Sequence, residues 1–488
     1  MENMLYKIGI VGILVWFGGC AQIESPKEKE PRVALPPAPF CKENNVTEEL
    51  LLQEMEIDLP EVTKKVSDLE YYPQSIEPYV MHNDFNQTEP YPIQKHFEEN
   101  YYRPWSYTAA SICTQDVQWP IRAFQGGYGS NLKPIDPQWL NEMSVQSNFQ
   151  AYSTVNQYAL TTKWMNLRTF PTHKPLYRNP ALPGEGFPFD LLQNSSVAFN
   201  EPLFISHYSQ DGGWAYVFTN NASGWVESNG IIPVTAAQIQ SIREKPKVFM
   251  TEDKVPLYDK NNRFIVYSRV GMLLPLLRED DHYFYLLFFY PDGNRGELTV
   301  AKHSAHVGFH LFNKEDIIKI GTQMLRNTYG WGGMFEERDC SSMIREMFTP
   351  FGIWLPRNSA SQAKKGEVIS LKELNNSQKI ALIKERGVPF ETILYKKGHV
   401  LLYIGTLNDT VMVMHNIWGI RTIDPNGKKG RVIIGKAVIS TLELGSDVES
   451  FDRNTMLLTS LLSMNIFTKE PALPPIVLAK KKGKRVKL

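Results

Sequence analysis

The sequence predicts a multidomain chain in which an α+β module over residues 306–450 follows two small β-barrels and a mainly helical or irregular N-terminal domain. Three observations predict it. First, 488 residues suffice for about three or four domains. Second, short runs rich in β-formers alternate with turns between 161 and 305, and a faint repeat runs through them. Lys174-Pro-Leu-Tyr177 returns as Val255-Pro-Leu-Tyr258, and Trp214-Ala-Tyr-Val217 is answered by Tyr283-Phe-Tyr-Leu286. Third, the period turns helical after residue 340, where Met343, Ile344, Met347, Phe348 and Phe351 recur at three- and four-residue spacing before Gly352. Two β-rich runs, 399–404 and 411–415, follow further on.

Taken in order, residues 1–19 read as a signal peptide: Lys7 precedes ten apolar or glycine residues, too few to span a bilayer. Gly18-Gly19-Cys20 resembles a bacterial lipoprotein cleavage site, although Phe17 is bulkier than usual there, and lipid attached at Cys20 would anchor the chain to a membrane. Plain secretion is the alternative. Residues 20–45 are rich in Pro, Lys and Glu and serve as a tether. Residues 46–160 carry scattered helical signals and the cluster Tyr101-Tyr102-Arg103-Pro104-Trp105. The barrels are placed at 161–235 and 236–305, and a C-terminal extension with a basic tail at 451–488. The chain carries 52 basic and 52 acidic side chains. This balance gives nucleic acid no claim as a partner. The basic tail reads as a solvated segment, with contact to anionic wall polymer or lipid left open.

Cys340 falls in the first turn of the predicted helix, with Asp339 at the N-cap. A helix N-terminus offers unpaired N–H groups and positive potential, which favour a thiolate. A buried inert cysteine is the alternative, but Asp339, Ser341 and Ser342 make a poor lining for an apolar plug. Gly330, Gly332 and Gly333 suggest a loop whose backbone approaches something closely. His399 supplies a base for the thiol. If the two β-rich runs pair as a hairpin, His399 and His415 share a face only in one register parity. A loop centred on Leu407 gives it, setting His399 opposite His415, whereas a two-residue Asn408-Asp409 turn would place them on opposite faces. The odd loop is therefore expected. A satisfied histidine beside Trp418 is the alternative for His415.

Tyr329-Gly-Trp-Gly-Gly333, Asp339-Cys340-Ser341, Leu355-Pro-Arg-Asn-Ser359 with Gln362, and Gly398-His399 resemble, in order, the motifs of the NlpC family of papain-like bacterial cell-wall cysteine peptidases. Ser342, where many relatives have glycine, and a long interval between Cys340 and His399 are departures. The resemblance implies Cys340 as nucleophile, His399 as base and His415 as its orienter. It further implies Asp339 as receptor for the free α-amine of a wall-peptide L-Ala, in a groove lined by Tyr329, Trp331, Ser341 and Ser359. Trp331 as a core aromatic and Ser359 as a helix cap remain alternatives.

Leu167-Arg-Thr-Phe-Pro-Thr172, Pro188-Phe-Asp-Leu-Leu-Gln193 and Gly224-Trp-Val226 resemble the bacterial SH3-like domain of one branch of that family, whose N-terminal clip domain the segment before 160 also resembles. The implied function is hydrolysis of the γ-D-glutamyl to diamino-acid bond in peptidoglycan stem peptides by a lipid-anchored monomer of the bacterial envelope. An idle wall-binding lipoprotein and an acyltransferase are the competing readings. No cofactor or metal is expected, since His303 and His306 lack a companion cluster. With Cys20 and Cys340 assigned, Cys41 and Cys113 remain as a possible disulfide.

Overall fold

The computed structural model describes residues 66–83, 91–110 and 112–469, all within one compact unit, Pro60–Leu488. The expected signal peptide, Cys20, Cys41, the tether and the basic tail lie outside the described residues. Cys113 carries a free, exposed thiol that donates to Asp116 Oδ2 at 3.0 Å.

Two β domains of one topology form the middle of the chain. In the first, strands Gln157–Thr161, Met165–Arg168, Gln193–Val197, Pro202–Tyr208, Trp214–Phe218, Ser223–Glu227 and Ile231–Pro233 lie in the spatial order three-two-six-five-four-one-seven. Lys247–Met250, Pro256–Asp259, Phe264–Tyr267, Leu273–Glu279, Tyr283–Phe289, Arg295–Ala301 and Ala305–Val307 repeat that order in the second. The aromatic half of the sequence repeat is therefore structural, because Trp214–Phe218 and Tyr283–Phe289 are both fifth strands. The Pro-Leu-Tyr half is not. Its second copy lies in a second strand, its first in the loop that follows one.

The C-terminal domain is built on an antiparallel sheet ordered Glu367–Ser370, Ser463–Ile466, Thr392–Lys396, His399–Leu407, Thr410–Ile423, Lys429–Thr441. Val400, Leu402, Ile404, Met412 and Met414 face helices Lys314–Leu325 and Cys340–Phe348 in one core. Leu394, Leu401, Tyr403, Val413 and Ile417 face the opposite core with Ile383 and Leu458. Apolar side chains on both faces explain why these strands read as nearly unbroken hydrophobic runs. The boundary expected at 450 is corrected here: Ser463–Ile466 is an interior strand, wedged between Glu367–Ser370 and Thr392–Lys396. Four residues give too short a pattern to read, and this strand's partners are far away in sequence.

The N-terminal segment braces both parts. Gln74 brackets the backbone of Ile439, accepting from its N–H at 3.0 Å and donating to its carbonyl at 2.8 Å. Asp68 Oδ2 accepts from the Thr441 N–H at 2.9 Å. Both contacts satisfy polar groups of the edge strand Lys429–Thr441, which would otherwise be open to further pairing. Farther on, Trp105 Nε1 donates to the Ala159 carbonyl of the first β domain, and Phe97 packs edge-on against Phe249 of the second.

Candidate active site

Helix Cys340–Phe348 starts where the sequence places it. Asp339 caps it, Oδ1 accepting from the N–H groups of Ser341 and Ser342 at 3.1 and 2.9 Å, while Ser342 Oγ accepts from the Asp339 N–H at 2.9 Å. This reciprocal capping box gives Ser342 a purpose that glycine would not serve. Met343, Ile344, Met347 and Phe348 are fully buried beneath it and hold the cysteine against the sheet.

The glycine-rich loop approaches protein. Gly332 and Gly333 have φ of 58° and 82°, and a Cβ on them would come within 2.7 Å of Gln193 Cγ and 2.2 Å of Ser196 Oγ. Gln193 Nε2 donates to the Gly332 carbonyl at 3.1 Å, and Trp331 Nε1 to that of Asp190 at 2.9 Å. The third strand of the first β domain and the loop before it are thereby pressed against the cysteine loop. Phe189, in that loop, has its ring 5.2 Å from Trp331, 6.5 Å from Tyr329 and 6.3 Å from Trp418. Trp331 and Tyr329 are half-buried in this cluster. Ser359 is half-exposed and opens a short helix, but Asn358 takes the capping role, accepting from the Ser361 N–H.

The second β domain holds the same loop from another direction. The fully buried Arg338 donates to Asp253 at 2.5 and 2.8 Å and to Glu346 of the cysteine helix at 2.7 Å, and Arg269 reaches Glu346 at 2.7 Å. Burial disfavours the Arg338 charge, but Asp253 and Glu346 outweigh it and keep the group firmly protonated.

The hairpin corrects the expected loop and keeps its consequence. Leu407 pairs with Thr410 across a two-residue Asn408-Asp409 turn with both φ positive, 49° and 64°. Such a turn alone would separate the histidines. A bulge between Tyr403 and Gly405, whose φ is 105°, restores the parity. Beyond the bulge Leu402 pairs with Met414, so Leu401 stands opposite His415 and His399 is its diagonal neighbour on one face. His399 Nε2 lies 2.8 Å from His415 Nδ1.

The hydrogen-bond chain assigns the tautomers. Ser440 Oγ donates its single proton to the Thr441 carbonyl at 2.8 Å, so it accepts from His415 Nε2–H at 3.0 Å. His415 Nδ1 is then the acceptor of His399 Nε2–H. His399 keeps a lone pair on Nδ1, the form a general base requires. The Val400 N–H, one residue on, acts to lower the Cys340 thiol pKa, which places sulfur near the backbone that follows this imidazole. Ser440 carries no signal in the sequence, because nothing in a strand pattern marks the residue two strands away that closes such a chain.

Electrostatics reverse the expectation of a favoured thiolate. Burial first and the Asp339 carboxylate second push the Cys340 thiol up to about 12, against smaller opposing contributions from the Val400 N–H and Arg357. Burial and then Lys396 bring His399 down to about 3, and burial holds His415 well below its ordinary value. The site thus holds a neutral thiol and a neutral imidazole, and the helix N-terminus loses to desolvation. Chemistry at such a neutral pair requires the thiol proton to pass to the imidazole as sulfur meets a carbonyl carbon. The Cys340 N–H, in the first helical turn with no intrahelical acceptor, is available to the developing oxyanion.

Asp339 does more than cap. Arg357 donates to its two oxygens at 3.0 and 2.6 Å, to Ser341 Oγ at 3.1 Å and, through Nε, to Ser195 Oγ of the first β domain at 2.8 Å. Burial would raise this carboxyl, yet Arg357 outweighs burial and holds it below its usual range. Gln362, fully buried, ties the same motif to the helix by donating to the Ser341 and Pro356 carbonyls. The arginine and glutamine are thus structural members of the site, as is the hydroxyl of Ser341. Among the described residues no group of three or more His, Cys, Asp or Glu side chains is placed to hold a metal. His306 instead lies tilted against His310, ring centroids 4.0 Å apart, and His310 Nδ1 meets Asp316 at 2.9 Å.

Comparison with known proteins matches residues 326–427 to the NlpC/P60 family and 12–152 to the NLPC_P60 N-terminal stabilising domain. Residues 175–227 match an SH3 domain of SH3b1 type and 237–281 one of SH3b2 type. A γ-D-glutamyl-L-lysine dipeptidyl-peptidase of Bacillus subtilis (strain 168) is 25% identical over 226 residues, covering 44% of this chain and 71% of that protein. Among solved structures, an NlpC/P60 endopeptidase from Photobacterium damselae subsp. piscicida has a TM-score of 0.72 at 24% identity, covering 82% of this chain and 98% of its own. An NlpC/P60 family protein from Bacillus cereus ATCC 10987 has a TM-score of 0.45 at 17% identity, covering 64% and 100%.

Proposed function

We propose that this chain, which belongs to the NlpC/P60 family of cysteine peptidases, hydrolyses peptidoglycan stem peptides at the γ-D-glutamyl to diamino-acid bond, starting from a free N-terminal L-Ala. In this reading Cys340 is the nucleophile, His399 the base and His415 the group that orients it. One observation carries the restriction to terminally free peptides: the first β domain is fastened to the cysteine loop through Gln193, Asp190 and the Ser195–Arg357–Asp339 chain. A domain fixed there blocks a continuous strand from running through. Asp339 Oδ2 accepts only from Arg357 among the described residues, which leaves it a lone pair for an ammonium. The name of the Bacillus relative supports the bond.

The test is incubation with L-Ala-γ-D-Glu-diamino-acid peptides and mass measurement of the products. The expected product is the L-Ala-D-Glu dipeptide. Acetylating the L-Ala amine should weaken cleavage by about 1.5–3 kcal/mol, the worth of a charge-assisted hydrogen bond. Equal rates on free and acetylated peptides would remove the amine contact. Anchoring at Cys20 belongs to the same reading, supported by Gly18-Gly19 before the cysteine; Cys20→Ala should release the protein from the membrane fraction.

A further inference from the structure

The cysteine loop carries backbone strain just ahead of the helix cap. From Gly332 to Glu336 only Met334 has negative φ; the others have 58° at Gly332, 82° at Gly333, 60° at Phe335 and 58° at Glu336. Glycine takes this conformation freely, whereas a Cβ makes it unfavourable and a bulky side chain makes it an outlier. Strain of this kind persists only where the surroundings over-determine it. Packing does not supply that hold. Phe335 is 66% exposed, Glu336 is exposed, and a cavity of about 460 Å³ opens against both.

The hold comes from Arg269, in the loop between the third and fourth strands of the second β domain. Its Nη1 donates to the Glu336 carbonyl and its Nη2 to the Glu337 carbonyl at 3.3 Å, while Nε and Nη2 reach the Glu346 carboxylate at 2.7 and 3.3 Å. One guanidinium thus ties the strained turn before Cys340 to the helix after it. Arg269 is itself anchored, because the adjacent Val270 N–H donates to Asp253 Oδ1 at 2.8 Å and Asp253 also receives Arg338. The loop closes where the Gly330 N–H donates to the Arg338 carbonyl at 2.9 Å, a carbonyl that accepts from Asn416 as well, and Asp339 and Cys340 follow directly. A turn that relaxed toward the cavity would therefore carry the cysteine with it. We propose that Arg269 is a positioning residue for the cysteine, holding the turn at Phe335 and Glu336 in its strained form and so setting where Cys340 lies against His399. By this route the second β domain, which contributes none of the proposed catalytic groups, bears on the reaction. Arginine suits the task because its planar fork serves two carbonyls and a carboxylate together, whereas lysine is a point charge. The inference rests on the roles given above to Cys340 and His399.

The experiment measures kcat and KM on L-Ala-γ-D-Glu-diamino-acid peptides for Arg269→Met, for Arg269→Lys, and for Arg269→Met placed in a Phe335→Gly/Glu336→Gly background. Glu346 keeps Arg338 in every variant, so no carboxylate is stranded. Arg269→Met should lower kcat by roughly tenfold to a hundredfold, as misplacement of a reacting group does, with KM within about twofold of wild type. Arg269→Lys keeps a charge beside Glu346 and should regain stability to urea but not kcat. Glycine needs no clamp to hold positive φ, so in the glycine background Arg269→Met should cost less than about threefold in kcat. The rate of iodoacetamide alkylation at Cys340, read by peptide mass mapping, should follow the same pattern without any substrate: faster in Arg269→Met than in wild type, and unaltered by that change when the glycines are present. A kcat in Arg269→Met within about twofold of wild type, full recovery of kcat by lysine, or an equal loss with and without the glycines overturns the inference. If the wild-type protein cleaves none of the peptides, the bond assignment falls and alkylation decides the inference alone, equal rates at Cys340 in Arg269→Met and wild type overturning it.

Discussion

Arg357→Met tests whether the buried ion pair at the helix cap holds the site together. The side chains of Arg357 and Asp339 are 9% and 11% exposed, and the guanidinium reaches both Asp339 oxygens, Ser341 Oγ and Ser195 Oγ. Methionine keeps most of the apolar stem and removes the charge, which leaves the carboxylate buried. Breaking one side of such a pair costs about 3–5 kcal/mol. The N–H groups of Ser341 and Ser342 still solvate Asp339, which places the expected loss near the lower end, about 3 kcal/mol. In Asp339→Asn/Arg357→Met no charge is left behind, so the double variant should be more stable than Arg357→Met alone. The pH dependence has a definite sign. In the wild type the folded carboxyl is depressed, so its contribution is present above the unfolded value near 3.9 and lost as pH falls through the folded value. In Arg357→Met burial, the largest influence on this carboxyl, is opposed only by the remaining hydrogen bonds from the serines and raises the folded value, so the deficit is largest at neutral pH and narrows on acidification. Urea unfolding followed by tryptophan fluorescence at pH 7 and at pH 5 reads both effects. An Arg357→Met protein within about 0.5 kcal/mol of wild type at pH 7 would refute the reasoning.

Cys340→Ala should abolish hydrolysis without loss of the folded state, and His399→Ala should lower kcat by roughly 10²–10⁴-fold, read on the same peptides. His415→Ala should reduce kcat with little change in KM, His415→Gln should restore part of it by offering an acceptor to His399 Nε2–H, and Ser440→Ala should show a smaller loss of the same kind. Equal kcat in His415→Ala and wild type would end the orienting role. Alkylation of substrate-free protein by iodoacetamide should be slower at Cys340 than at exposed Cys113 near pH 7, and should still be rising at pH 9, since a thiol raised to about 12 ionises only above that range. A rate that levels off below pH 7 would mean a resting thiolate–imidazolium pair.

The local chemistry was legible in the sequence because it depends on near neighbours. Asp339 before Cys340, with apolar residues at helical spacing behind them, specified the cap, the first turn and the buried face together. The fifth-strand repeat exposed the duplicated β domain. The two site histidines needed more. Their shared face was correctly expected, but it depends on one extra residue, a bulge at Gly405 that reverses the parity a two-residue turn imposes. Side-chain periodicity does not count such residues. The glycines of the cysteine loop announced a close approach, whereas only the assembled domains show that Gln193 and Ser196 are what they approach. Ser440, the Ser195–Arg357 link and the strand at 463–466 come from segments distant in sequence. Pairing and burial between such segments are set by packing in three dimensions. No local pattern carries them, and desolvation in that packing also turned the cysteine expected as a thiolate into a neutral thiol.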